Sequence, residues 1–241
     1  MTSRIAVLAS GGGTNLQALL EHLDTLGDRR AGEVVLVASD RPDAGALQRA
    51  EARAIATAIV QTAGAAVGHP LDDILRQHGV DFVALAGYLR LVPEPTVERY
   101  RGRIVNVHPA LLPAFGGAGM YGVRVHQAVL DSGATVSGAS VHFVDQAYDR
   151  GPVIAQWPVP VLPGDTAASL AARVLRVEHV LYPLAVNAVA GGRVSLADDG
   201  TVRRASASPE RDPPSADDWA FCLSPSPGPR LASEIARAIG A

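Results

Sequence analysis

The hydrophobic pattern of this sequence alternates between short apolar runs and longer stretches in which apolar residues recur every three or four positions. Apolar runs without polar alternation are typical of strands that are buried on both faces of a parallel sheet. Such runs predict strands over residues 5–9, 34–38, 56–60 and 82–86. The intervening stretches have helical spacing and predict helices over residues 16–23, 44–53, 71–78 and 93–100.

The second half departs from this strict alternation. β-branched residues predict a fifth parallel strand over 104–107. Residues 137–144 and 153–159 predict two strands that pair antiparallel, and a helical stripe over 166–190, interrupted at Pro183, precedes a short terminal hairpin. We therefore predict an α/β fold, with an open, mostly parallel twisted sheet, helices on both faces and an antiparallel C-terminal portion.

The size and composition indicate how the chain is divided. Its 241 residues, 48% of them hydrophobic, suffice for one large core, or for one domain with an appendage. From residue 206 the composition changes to proline, serine and aspartate, which do not build a core. We therefore predict a folded domain over 1–205 and a tail over 206–241, with a short amphipathic helix at 231–239.

Charge and cysteine content exclude several classes of protein. The net charge is −3 and no block of lysine and arginine occurs, which argues against nucleic-acid binding. The single cysteine, Cys222, excludes an internal disulfide and does not suggest a metal cluster. No signal-peptide pattern occurs, and no apolar run approaches the roughly 20 residues that span a bilayer. These features predict a cytoplasmic protein that acts on small molecules without a membrane or nucleic-acid partner; they leave open whether it is a monomer or a dimer.

A glycine-rich turn, Ser10-Gly11-Gly12-Gly13-Thr14-Asn15, joins the first predicted strand to the first helix. Such a turn directs backbone N–H groups and a helix N-terminus at an anion, and Thr14 and Asn15 can cap the helix or add donors. A Walker loop would need a lysine, and a dinucleotide fingerprint would need glycine where Leu16 stands. A monophosphate site is thus the functional interpretation, and an ordinary strand-to-helix turn is the alternative.

The fifth strand ends with Asn106, Val107, His108 and Pro109. Residues two apart point to the same side of a strand, so Asn106 and His108 lie side by side at the carboxyl edge of the sheet, where α/β proteins bind ligands. The amide can donate to a developing oxyanion, and the imidazole can carry a proton near neutral pH. The pair predicts a catalytic site, although an isolated pattern of this kind is common.

Other polar residues stand where they could join this site. Asp149 is either a turn former or a third catalytic group, and His142 is either a core histidine or a supporting residue. Arg90, just past a strand, can bind a carboxylate or form a surface salt bridge. Glu178 can contact a ligand hydroxyl or pair with an arginine. Asp40 follows the second strand and, without a dinucleotide fingerprint, is interpreted as a turn or cap residue.

Together these segments resemble the folate-dependent phosphoribosylglycinamide formyltransferases of purine biosynthesis over roughly residues 4–205. The matching segments are Ser10–Gln17 (SGGGTNLQ), Leu85–Arg90 (LAGYLR), Asn106–Pro113 (NVHPALLP), Ser140–Val144 (SVHFV), Asp149–Val153 (DRGPV) and Glu178–His179. The Asn106–Pro113 segment is shared with methionyl-tRNA and amino-sugar formyltransferases and with formyltetrahydrofolate hydrolases. The glycine turn separates this subgroup from those relatives.

The resemblance implies a Rossmann-like formyltransferase fold, with a phosphate-binding half at about 1–100 and a folate-binding, catalytic half at about 101–205. It implies formyl transfer from the co-substrate 10-formyltetrahydrofolate to the amine of 5'-phosphoribosylglycinamide, without a metal. A cis peptide before Pro113 is also implied. The implied site residues are Asn106, His108 and Asp149 for catalysis, with His142 in support; Gly13, Thr14, Asn15 and Glu178 for the ribonucleotide; and Leu89, Arg90, Leu91, Val92, Asn106, Asp145, Gln146, Ala147 and Tyr148 for folate.

Two departures from the family pattern affect the interpretation. The family usually carries, before residue 71, a longer segment with an arginine that contacts the folate tail, and residues 61–70 contain no arginine. The loop after Pro113 is longer than in the shortest relatives. The competing functions are an enzyme with the same pocket and a different acceptor, such as water in a formyltetrahydrofolate hydrolase or another amine, and a non-catalytic nucleotide-binding module.

Overall fold

The computed structural model describes residues 2–60 and 70–205, together with Ser233 and Arg237. Strands and helices alternate along the first half, as the apolar runs predict. Its elements are β1 (Ser3–Leu8), α1 (Thr14–Leu26), β2 (Gly32–Ser39), α2 (Gly45–Glu51), β3 (Ala56–Ile59), α3 (Pro70–Gln77), β4 (Phe82–Leu85), α4 (Glu94–Arg99) and β5 (Ile104–His108). A single 3-10 turn, Gly27–Arg29, follows α1.

The second half contains the predicted antiparallel portion. Its elements are α5 (Val123–Asp131), β6 (Val136–Phe143), β7 (Val153–Pro160), α6 (Ala167–Ala190), β8 (Val194–Leu196) and β9 (Val202–Arg204). A seven-stranded sheet has the order β3-β2-β1-β4-β5-β6-β7, and β8 and β9 form a separate hairpin. β1 to β5 pair parallel, whereas β6 is antiparallel to both β5 and β7. The predicted fold class is confirmed.

Alternate residues of the central strands contribute to two hydrophobic cores, one on each face of the sheet. Ile5 and Val7 of β1 face the larger core, which α1, α2, α5 and α6 cover. Ala6 and Leu8 face the smaller core, which α3 and α4 cover. Because each face is covered by helices, the buried stretches of β1, β2 and β4 are apolar on both faces, which explains the uninterrupted apolar runs. The polar residues at the carboxyl ends of the strands lie outside both cores and are available to form a binding site.

The edge strand β7 carries two prolines, Pro158 and Pro160. Successive N–H groups of a strand point to opposite sides, and the N–H of odd-numbered Val161 points toward the sheet, where it donates to the Thr135 carbonyl. Proline nitrogens at the even positions therefore face away from β6, where they remove no hydrogen bond from the sheet.

The expected interruption at Pro183 is wrong, because α6 runs without a break from Ala167 to Ala190 with Pro183 buried inside it. Thr166 begins this helix with a capping box that it forms with Ser169. Asp165 accepts two hydrogen bonds from Arg173 at 2.7 and 2.9 Å, which fixes the first turns of the helix. Packing of the long apolar face against the sheet and α1 outweighs the one hydrogen bond that proline removes.

Several sequence predictions lie outside the described residues. These are the tail over 206–229, most of the helix predicted at 231–239, and residues 61–69 of the segment that lacks the family arginine. The domain boundary at residue 205 stays a prediction. In the described ranges 2–60 and 70–205, no helix is long and apolar enough to cross a membrane.

Candidate active site

The carboxyl end of β5 brings Asn106 and His108 to one side of the sheet. β5 lies between β4 and β6, and Asn106 stands opposite His142 in the antiparallel ladder. His108 and His142 are 3% and 2% exposed, whereas Asn106 is only partly buried. The Leu112–Pro113 peptide that follows is cis, as the resemblance implies. An amide is thus presented beside two shielded imidazoles.

Asp149 is brought to this strand end by the turn between β6 and β7. Its backbone is left-handed, with φ of 55°, a conformation that aspartate and asparagine tolerate better than most residues. Asp149 Oδ2 lies 3.4 Å from His108 Nδ1 and accepts a hydrogen bond from the Gly117 N–H at 2.9 Å. Asp149 Oδ1 accepts a longer one from Asn106 Nδ2 at 3.4 Å. Asp149 therefore contacts both residues predicted to be catalytic, which a turn former alone would not do.

His142 holds the amide of Asn106 in place. Its Nδ1 lies 2.7 Å from the Phe143 carbonyl oxygen, so this nitrogen carries the proton. In the neutral ring Nε2 is then an acceptor, and it lies 3.1 Å from Asn106 Nδ2. His142 is thus a core histidine whose free nitrogen orients Asn106, so the two alternatives weighed for this residue are compatible.

Both ring nitrogens of His108 face acceptors. Nε2 donates to the Phe115 carbonyl at 2.9 Å, and Nδ1 faces the Asp149 carboxylate. Burial lowers the pKa of His108, while Asp149 and the Phe115 carbonyl raise it, and the balance leaves it below its ordinary value. Burial raises the pKa of Asp149, but hydrogen bonding and the imidazoles hold it below the usual range. Burial thus opposes the charged form of His108, whereas the two acceptors at its ring nitrogens favour it, and the Asp149 carboxylate stays ionised.

These residues line a cleft of about 520 Å³. Its other walls come from the loop after β4, the glycine-rich loop before α5, the turn before Asp149 and one side of α6. Sequence-predicted residues on the cleft wall are Asn15, Leu89, Arg90, Leu91, Val92, Asn106, His108, His142, Ala147, Tyr148, Asp149 and Glu178. The fold thus gathers most of the predicted site into one depression, although the separate roles of these residues stay predictions.

The glycine turn leads to Asn15, which lies on the wall of this cleft. Gly13 has φ of 73°, and a Cβ there would lie 2.7 Å from the Ala46 Cα, so only glycine fits. The Gly11 carbonyl accepts from the Ala46 N–H, and the Gly12 carbonyl accepts from Arg49 Nε at 2.8 Å. A peptide whose carbonyl points toward α2 directs its N–H the opposite way. The N–H groups of Gly12 and Gly13 thus point away from α2 and have no partner among the described residues.

Neither Thr14 nor Asn15 caps α1, which corrects one expectation. Gly13 occupies the N-cap position, without a capping side chain. Asn15 Nδ2 instead donates to Glu178 Oε2 at 2.7 Å, and its buried Oδ1 has no partner. Burial raises the pKa of Glu178, which pairs with this amide and not with an arginine. Asn15 and Glu178 thus form a buried polar pair at the cleft wall, in which the amide oxygen of Asn15 has no partner among the described residues.

Some predicted residues lie apart from the cleft, and some of its walls were not predicted. Gly13, Thr14, Asp145 and Gln146 are not on the wall, and Thr14 faces a neighbouring groove with Gln17 and Arg49. Wall residues that sequence reasoning missed are Tyr88, His126, Ala171, Ala172 and Leu175. Those on α5 and α6 follow ordinary helical spacing, so nothing in the sequence marked them. In the described parts of the chain, no group of three or more His, Cys, Asp or Glu side chains is placed so that it could hold a metal ion.

Comparison with known proteins identifies the family. Residues 3–186 match the formyl transferase family. The chain belongs to the formyl transferase family. This formyl transferase is 43% identical over 202 residues to the chloroplastic phosphoribosylglycinamide formyltransferase of Arabidopsis thaliana, an alignment that covers 82% of this chain and 68% of the plant protein. The resemblance drawn from the sequence motifs is thereby confirmed.

Two further relatives of this formyl transferase agree. The crystal structure of glycinamide ribonucleotide transformylase 1 from Symbiobacterium toebii is 40% identical, with a TM-score of 0.76 over 84% of this chain and 94% of that one. The trifunctional purine biosynthetic protein adenosine-3 of Bos taurus is 38% identical over 83% of this chain, which spans only 20% of that longer protein.

Proposed function

We propose that this formyl transferase moves the formyl group of 10-formyltetrahydrofolate to the amine of 5'-phosphoribosylglycinamide, in purine biosynthesis. The observation that carries the proposal is the position of Asn106, His108 and Asp149 in one cleft with Asn15, the last residue of the phosphate-type glycine turn, and with Leu89 to Val92. The names of the most similar relatives favour this acceptor over the alternatives.

The ribonucleotide binds with its phosphate at the start of α1. Unpaired N–H groups at Gly12 and Gly13 and the positive end of the helix dipole attract the anion. Asn15 and Glu178, which lie on the cleft wall, accept hydrogen bonds from ribose hydroxyls. This arrangement directs the glycinamide amine toward the end of β5.

The folate binds on the other side of that strand end. Leu89, Leu91, Val92 and Tyr148 supply an apolar wall, and Leu91 and Tyr148 are 45% and 39% exposed, so their apolar surface is available to a flat ring. The proposed contacts of Asp145 and Gln146 need a rearrangement of their loop, because neither lies on the cleft wall.

In the reaction, the amine nitrogen bonds to the formyl carbon and the carbonyl electron pair moves to oxygen. Asn106 donates to this oxyanion the N–H that makes the longer, 3.4 Å bond to Asp149 in the ligand-free site, and keeps its bond to His142. The amine proton passes to the His108–Asp149 pair, because Asp149 increases the proton affinity of the imidazole and stabilises the imidazolium. The same proton then goes to folate N10 as its bond to carbon breaks, which yields tetrahydrofolate and the formylated amide.

The deciding experiment uses the purified full chain with both substrates and measures formylated ribonucleotide and tetrahydrofolate by mass spectrometry and absorbance. We expect product only when both substrates are present. Formate release at the same rate without the acceptor would instead indicate a hydrolase. Binding of the ribonucleotide without turnover would indicate a non-catalytic module.

A further inference from the structure

Asp40, at the end of β2, does not behave as the turn or cap residue that its sequence position suggests. Its side chain is 2% exposed, although carboxylates are seldom shielded from water without partners. Oδ1 accepts a hydrogen bond from Ser10 Oγ at 2.5 Å, and Oδ2 accepts one from Arg90 Nε at 3.0 Å. Burial raises the pKa of Asp40, but the bonds from Ser10 and Arg90 outweigh it, so the carboxyl is ionised at neutral pH.

Ser10 continues this chain of contacts into the loop after β4. While its hydroxyl donates to Asp40, the same oxygen accepts the Leu89 N–H at 2.9 Å. The Ser10 N–H also donates to the Gly87 carbonyl at 3.0 Å. Ser10 is itself 2% exposed, so this hydroxyl has no competing water.

The loop from Gly87 to Val92 depends on these contacts, since it contains neither helix nor strand. Three strand ends therefore converge on one buried carboxylate: Ser10 follows β1, Asp40 follows β2, and Arg90 follows β4. Arg90 donates its Nε–H to Asp40, so the two terminal nitrogens of its guanidinium remain available on the wall of the cleft, which Arg90 lines. Leu89, Leu91 and Val92 of the same loop line the proposed folate side.

We propose that Asp40, acting through Ser10 and Arg90, is a positioning residue that sets the conformation of the 87–92 loop and thereby the affinity for folate. This inference rests on the proposed function, because it assigns the loop to folate. Asp40 touches no substrate. It fixes the positions of the Leu89 amide and the Arg90 guanidinium beside the proposed folate site. The conformational entropy of these groups is therefore lost on folding and not on folate binding.

The test compares Asp40→Asn and Asp40→Ala with Asp43→Asn, which removes an exposed carboxylate from the same connection. In calorimetric titration, the affinity for tetrahydrofolate is expected to fall about tenfold in Asp40→Asn, since one charge-assisted hydrogen bond is lost, and further in Asp40→Ala. The KM for 10-formyltetrahydrofolate should rise in parallel, with kcat at saturation and the KM for the ribonucleotide within about twofold of wild type. Hydrogen exchange at the Leu89 amide should accelerate, and Asp43→Asn should change none of these.

If Asp40→Asn does not fold, Ser10→Ala gives the same test, because it removes the acceptor of the Leu89 N–H. Two results would overturn this inference but not the proposed function. One is a folded Asp40 variant whose folate affinity stays within twofold of wild type. The other is an equal loss of affinity for both substrates together with lowered thermal stability. A wild-type chain that binds no tetrahydrofolate would overturn the proposed function as well.

Discussion

Replacing Asp149 with asparagine should lower the pKa of His108 and slow formyl transfer at neutral pH, with little effect on folding. Asparagine tolerates the left-handed backbone at this position, and its side-chain oxygen can still accept from the Gly117 N–H. The substitution thus removes the negative charge and keeps the turn. Alanine at this position would also strain the left-handed backbone, so the loss of the charge and the loss of stability could not be separated.

The expected size follows from the 3.4 Å between Asp149 Oδ2 and His108 Nδ1. At an effective dielectric constant of about 20, full charges at that distance attract by about 5 kcal/mol, which is an upper limit. The carboxylate is also shared with Gly117 and Asn106, so its loss should remove only part of this energy and lower the pKa of His108. If His108 must hold a proton during the reaction, kcat at pH 7 falls about 10- to 100-fold.

The assay is a pH–rate profile of wild type and Asp149→Asn, with histidine titration by NMR. Asp28→Asn is the control, since it removes an exposed carboxylate from the turn after α1. The His108 titration should move to lower pH only in the Asp149 variant, with unchanged melting temperature. An unmoved titration, or activity that is lost only in step with thermal stability, would refute the relay.

Three further predictions concern separate parts of the chain. Asn106→Ala should lower kcat about 100- to 1000-fold with unchanged unfolding, as for one oxyanion donor; near wild-type turnover would remove Asn106 from the mechanism. Gly13→Ala should weaken binding of the phosphorylated acceptor and lower the free energy of urea unfolding by about 2 kcal/mol, because of the positive φ of Gly13 and its contact with Ala46. Gly11→Ala is the control and should unfold like wild type, since a Cβ at Gly11 meets nothing within 4 Å. Asp165→Asn should destabilise by about 1 to 2 kcal/mol at pH 7. Hydrogen bonds from Arg173 hold the pKa of Asp165 below its ordinary value, so this difference should shrink as pH falls below about 4; a difference independent of pH would contradict it.

The elements could be predicted from the sequence because local pattern and tertiary burial agree in this fold. Strands such as β4 are buried on both faces and are accordingly wholly apolar. Pro183 was misjudged because its effect depends on packing around α6, which no local signal reports. The boundaries differ from the structure by up to three residues, as at the end of α1 and at β2, where pairing with β1 extends the strand past its apolar run.

The candidate site could be predicted only in part. Asn106 and His108 share a strand, so their proximity follows from the period of the strand alone. The contact of His108 with Asp149 spans 41 positions and depends on the β6–β7 turn folding back, which periodicity does not contain. Asp40 was underestimated for the same reason, because its partners lie on other strands. Residues such as His126 and Leu175 became part of the cleft only through helix packing.

The two prolines on β7 also bear on how the protein behaves at high concentration. An exposed edge strand offers unpaired donors and acceptors to another sheet, and this is a common route to aggregation. At Pro158 and Pro160 the outward positions have no donor to offer, and the rings obstruct an approaching strand. The C-terminal half of this edge is therefore a poor template for further strands, and a sheet rich in valine and alanine is protected there from growing into a fibril.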